Sequence, residues 1–126
     1  MPHFFTLEEA NGLLPKIKPL MAELLAWRAK IIEMRHEVAG ILQDTTSNVG
    51  SPATSALVQD FMAIDRLLAQ IHEYGCEVKD LNVGLLDFLA EMDGREVYLC
   101  WRFGEEEIAY YHDLHTGFGG RRRIPR

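Results

Sequence analysis

A chain of 126 residues, 48% hydrophobic and with a net charge of −6, is long enough to bury a core and is sized for one domain. The acidic balance argues against general nucleic-acid binding, which needs clustered Lys and Arg. No apolar stretch approaches the roughly twenty residues of a membrane span, nothing at the N-terminus resembles a signal peptide, and Cys76 and Cys100 form no Cys-x-x-Cys, so the expectation is a soluble cytoplasmic protein without a membrane partner.

Thr6-Leu7-Glu8-Glu9 is a capping box opening a short helix, predicted over about 7–14 and ended by Pro15. A second helix, about 16–42, carries Ile17, Leu20, Leu24, Trp27, Ile31, Met34, Val38 and Ile41 at three-four spacing, with Leu14, Met21, Leu25, Ile32 and Leu42 on an adjoining row. A polar loop from Gln43 to Pro52 leads to a third helix, about 52–74, with Ser51 as N-cap and Leu57, Phe61, Ile64, Leu68 and Ile71 as its apolar face. Gly75 supplies its stop. The two long helices read as an antiparallel hairpin. Their apolar stripe is wider than one helix contact uses, which predicts a homodimer through these helices.

After Gly75 the period changes to two, and strands are predicted at about 76–81, 85–91, 95–103 and 107–114. Asp93-Gly94 suits a tight type I′ turn and sets Phe88 against Leu99, Leu86 against Trp101 and Asp87 against Cys100. A two-residue loop at Glu105-Glu106 would set Trp101 against Tyr110 and Leu99 against His112. His112 then lies on the core face among aromatics, with Asp87, Tyr98, Cys100, Arg102 and Tyr111 on the other. A one-residue slip in that second turn exchanges His112 with Tyr111. The fold class expected is α+β: a short N-terminal helix and a helical hairpin packed on a small antiparallel sheet, with a flexible tail over 119–126.

Charges inside apolar strands need partners, so the site candidates are Asp80, Asp87, Tyr98, Arg102, His112 and Arg121. Asp87 and Arg102 share a face at diagonal positions; they read as a structural ion pair, or as a guanidinium held by Asp87 for an anionic ligand. Lys79-Asp80 could add a second pair. His112 reads as a neutral histidine with one structural hydrogen bond, or as a base or ligand. His112 and His115, three apart on a strand, would point to opposite faces and share no metal. Glu33-Met34-Arg35-His36 matches the Glu-x-x-His of metal bundles, but the helix from Ala53 to Tyr74 offers no second inward carboxylate, so no metal or cofactor is expected. Arg121, Arg122, Arg123 and Arg126 read as a solvated tail or as a contact for phosphate or an acidic partner.

The opening Phe5-Thr6, Glu9-Ala10-Asn11 and Pro15, then Val78-Lys79-Asp80-Leu81, Gly84-Leu85, Asp87-Phe88 and Asp93-Gly94-Arg95-Glu96-Val97, form a recognisable pattern. It continues through Leu99-Cys100-Trp101, Gly104-Glu105, Ile108, His112, Gly117-Phe118 and Arg121. In these the chain resembles a prokaryotic family catalogued as domain of unknown function 2203. Gly104-Glu105-Glu106-Glu107 stands where that pattern often has Gly-Glu-Pro-Glu, and Tyr111 where Trp is common. The resemblance implies a fold and residues to watch, and brings no activity, substrate or cofactor. Two functions stay open: a self-associating interaction or regulatory module without catalysis, or a small enzyme or receptor for an anionic metabolite built on Asp87, Arg102 and His112.

Overall fold

The computed structural model describes residues 3–44 and 52–125. Two helices, α1 (Leu7–Asp44) and α2 (Pro52–Glu73), precede five strands: β1 (Glu77–Asp80), β2 (Leu85–Met92), β3 (Arg95–Arg102), β4 (Tyr110–Asp113) and β5 (Arg122–Arg123). A 3₁₀ turn, η1 (Phe118–Gly120), lies between β4 and β5. The strands form one antiparallel sheet in the order β1-β2-β3-β4-β5, so the class is α+β.

The capping box forms as its spacing requires: Thr6 N–H donates to Glu9 Oε1 and Glu9 N–H to Thr6 Oγ1, each at 3.0 Å. The helix it opens does not stop at Pro15. α1 runs unbroken through Pro15 and Pro19, which corrects the expected division into 7–14 and 16–42. Each proline removes one backbone hydrogen bond. Both rings are exposed one turn apart, while Ala10, Leu14, Ile17, Met21 and Leu24 are buried along the opposite stripe. Continuous packing on that stripe outweighs the two lost bonds.

Lys30 Nζ of α1 lies 3.3 Å from Asp60 Oδ1 of α2, and Leu20 lies beside Gln70 and Tyr74, which sets the helices side by side in opposite directions. The buried seam of α2 is Asp60, Ile64, Leu67 and Ile71; it keeps Ile64 and Ile71 of the expected row, with Asp60 and Leu67 buried in place of Phe61 and Leu68. Phe61 and Met62 are consequently 49% and 58% exposed. Asp60 is also an inward carboxylate that the sequence reading denied this helix. Glu33 is exposed, and the side chain of His36 lies outside the described residues, as does most of the loop from Gln43 to Pro52 with its Ser51 cap. Among the described residues no helix is long and apolar enough to cross a membrane.

The β2–β3 turn matches its sequence: Asp93 and Gly94 take φ of 54° and 79°, and Leu86 pairs with Trp101, Asp87 with Cys100 and Phe88 with Leu99. The β3–β4 connection is longer than a two-residue loop. Trp101 Nε1 donates to the Glu105 carbonyl, Arg102 N–H to Glu105 Oε1, and Ile108 N–H to Asn11 Oδ1 of α1. The strand resumes at Tyr110 in a register displaced by one residue, with Tyr98 opposite His112 and Leu99 opposite Tyr111. His112 therefore leaves the core face and Tyr111 joins it. That face collects Leu86, Phe88, Val97, Leu99, Trp101, Ile108 and Tyr111 against Leu14, Ile17, Met21 and Leu24 in one cluster.

The residues from 118 to 123 form regular structure against the sheet. Where a flexible tail from 119 is expected, η1 and β5 bring the chain back beside β4, and Ile124 N–H donates to the Ala109 carbonyl at 2.9 Å.

Candidate functional site

The outer face of the sheet, away from α1, carries the polar residues that alternation displaced from the core. Asp87 stands mid-β2 opposite Cys100; His112 stands on β4 opposite Tyr98. β2 and β4 are separated by β3, roughly 9.6 Å apart at ordinary strand spacing. Carboxylate and imidazole lean toward each other across β3, where the small Cys100 side chain leaves room.

His112 Nε2 and Asp87 Oδ2 meet at 3.0 Å, with the histidine 3% and the aspartate 2% exposed. His112 Nδ1 lies 2.7 Å from the Asp113 carbonyl. A carbonyl only accepts, so Nδ1 carries the proton there and Nε2 is the nitrogen aimed at Asp87. Asp87 Oδ1 is buried and makes no hydrogen bond of ordinary geometry among the described residues, while the Cys100 thiol lies beside the carboxylate as a weak donor. Burial pushes the Asp87 carboxyl above the usual aspartate range, while the His112 hydrogen bond and charge pull it back. Burial pushes the Cys100 thiol up to about 12, Asp87 adding to the effect and Arg121 opposing it. The ligating atoms of Asp87, Cys100 and His112 all lie within 4.8 Å of one another.

Beside this cluster opens a cleft of about 370 Å³ whose wall includes Asp87, His112, Tyr98, Lys79, Asp80 and His115. The Tyr98 and His112 rings are 5.5 Å apart, and Lys79 Nζ sits 5.1 Å from the Tyr98 ring centre while pairing with Glu77 at 2.9 Å. Asp80 is half-buried at the end of β1, its Oδ1 accepting the Asn82 N–H at 2.7 Å. His115 belongs to this wall because β4 ends at Asp113 and the chain turns there, with Thr116 N–H donating to the Asp113 carbonyl. The strand rule that put His112 and His115 on opposite faces no longer applies past that turn.

Of the expected residues, Asp80, Asp87, Tyr98 and His112 converge. Arg102 does not line the cleft: it is exposed beside Leu85, and His112 rather than Arg102 takes the Asp87 carboxylate. The displaced β4 register is the reason, since it puts a ring within direct reach of Asp87. Arg121 approaches from between η1 and β5: its Nη2 donates to the Cys100 carbonyl at 3.2 Å and to Glu105 Oε1 at 2.7 Å, and its guanidinium stacks 4.2 Å from the Tyr110 ring. Cys100 is fully buried next to Asp87 and His112 and is not itself part of the cleft wall. Its position directly opposite Asp87, fixed by the Asp93-Gly94 turn, was the signal available. A larger hollow of about 600 Å³, beside Pro15, Pro19, Trp101 and Phe103, is mostly apolar and lacks such a cluster.

A helix pair on one face of an antiparallel sheet, with a buried acid–imidazole pair and a polar cleft on the other, defines a small protein of the α+β class. The chain belongs to the uncharacterized conserved family DUF2203, whose family model matches residues 3–124. No curated protein and no solved structure matches it.

Proposed function

We propose that this protein is a receptor for a small metabolite bearing an anionic group, bound in the cleft over Asp87 and His112. The observation that carries the reading is convergence. Residues from β1, β2, β3, β4 and the turn after β4 present Asp80, Asp87, Tyr98, His112 and His115 to one concavity, with Lys79 at its edge as the cation. Buried polar clusters beside a concave space are where ligands gain orientation. Lys79 supplies charge, Tyr98 and His115 supply hydrogen-bonding edges, and the Asp87–His112 bond holds the floor in place. Thermal-shift screening against anionic metabolites tests this. A compound that raises the melting temperature of the wild type and loses that shift in Lys79→Ala and Tyr98→Ala supports it. A shift indifferent to both substitutions would place the ligand elsewhere.

A second reading, self-association through the helices in the cytoplasm, is favoured by Val58, Phe61 and Met62 of α2 and Ile32 of α1, all exposed apolar side chains. Sedimentation at micromolar concentration tests it: a dimer that Phe61→Asp dissociates supports it, and a wild-type monomer removes it.

A further inference from the structure

We infer that Asp87, Cys100 and His112 form a binding site for a divalent transition metal of the zinc type, with its fourth coordination position facing the cleft. This goes beyond the metabolite reading and does not depend on it.

The donor set is a carboxylate, a thiolate and an imidazole, the combination that zinc and its neighbours accept. It comes from adjacent positions of three neighbouring strands rather than from mobile loops. Tetrahedral coordination with bonds of 2.0–2.3 Å separates donors by roughly 3.3–3.8 Å. Here all three lie within 4.8 Å, and the Asp87–His112 pair already stands at 3.0 Å.

Two further features point to a ligand. Asp87 Oδ1 is buried in an aspartate only 2% exposed and makes no hydrogen bond of ordinary geometry among the described residues, with the weakly donating Cys100 thiol beside the carboxylate. Such an atom costs free energy unless something accepts its lone pairs. His112 Nδ1 is committed to the Asp113 carbonyl at 2.7 Å. That is the outer-sphere bond that fixes the tautomer of a metal-ligating histidine and leaves Nε2 as the donor. The second cysteine provides a contrast: Cys76 packs in the core with its thiol toward the Ile71 carbonyl and, among the described residues, is not part of such a donor cluster.

Metal uptake is a displacement. The S–H proton of Cys100 and the proton shared by Asp87 Oδ2 and His112 Nε2 leave to solvent, and bonds to sulfur, oxygen and nitrogen form in their place. Arg121, held beside Cys100 by Glu105, favours the thiolate, while Lys79 on the cleft wall opposes a cation. The two Asp87 and His112 side chains reach the cleft, which is the entry route.

Cobalt(II) titration of purified, chelator-treated protein reads the site directly, because a thiolate ligand gives a charge-transfer band. The expected result is a band saturating at one ion per chain, bleached by zinc, retained in Cys76→Ser and lost in Cys100→Ser. Asp87→Asn and His112→Gln should weaken cobalt binding roughly tenfold or more, at least matching an outer-sphere loss. At zinc just saturating for the wild type, the melting temperature should rise fully in the wild type and in Cys76→Ser and clearly less in these two variants, a readout that stands if Cys100→Ser fails to fold. Absence of the band in wild type, or its persistence in Cys100→Ser, would overturn the assignment. Neither outcome bears on whether a metabolite shift requires Lys79 and Tyr98.

Discussion

The two faces of the sheet are stabilised in different ways. The inner face is apolar and redundant: Phe88, Leu99 and Trp101 pack with α1 residues in one cluster, so its stabilisation is shared among many contacts. The outer face depends on a few bonds between single atoms, and a displacement of one residue in β4 would dismantle it. Both faces need the same register, but burial is shared among many contacts while the chemistry rests on a few.

The largest effect expected from breaking the inner face is that of Trp101→Ala or Phe88→Ala. Each should cost about 3–5 kcal/mol in urea unfolding, as for other buried aromatics. On the outer face, His112→Ala leaves the Asp87 carboxylate buried without its partner and should cost about 3 kcal/mol. Replacing both partners by apolar residues, Asp87→Leu with His112→Phe, should recover most of that loss, because no charge remains to be desolvated. If the double variant is as unstable as the single one, the pair is packing rather than electrostatics.

A pH series sharpens the same contrast. The Asp87 pKa is raised, first by burial, so the folded chain holds this proton more tightly than the unfolded chain. The metal-free protein should therefore lose stability as pH rises from the ordinary aspartate range through the raised value. Urea midpoints measured with chelator should show that slope, and Asp87→Asn should flatten it. A slope of the opposite sign in wild type would mean that His112 outweighs burial. The smallest effect concerns the turn: Gly94 has φ of 79° with open space around it, so Gly94→Ala should cost only about 1–2 kcal/mol of backbone strain. Equilibrium unfolding of that variant, with unchanged metal binding, would show that register resists a strained turn.

Local chemistry explains what could be read in advance. Asp93-Gly94 dictates its own turn geometry, so the β2–β3 register and the placement of Asp87 opposite Cys100 were legible. The connection from Phe103 to Ala109 has no such dictation. Its path is set by long-range bonds, Ile108 to Asn11 and Lys18 to the Glu106 carbonyl, which no local pattern announces. That is why His112 was assigned to the wrong face and Arg102 took its place beside Asp87. The unbroken α1 was hidden likewise, since the packing that carries it past Pro15 and Pro19 comes from the sheet. Asp60 was overlooked because its carboxylate masks a position that the helical spacing of Ile64, Leu67 and Ile71 already implied.

The β4 register is the claim on which the cleft, the acid–imidazole pair and the metal site all rest. Cross-strand nuclear Overhauser contacts in the isotopically labelled protein read it most directly. The account predicts Tyr98 opposite His112 and Leu99 opposite Tyr111. Contacts pairing Leu99 with His112 would contradict it and return the imidazole to the core.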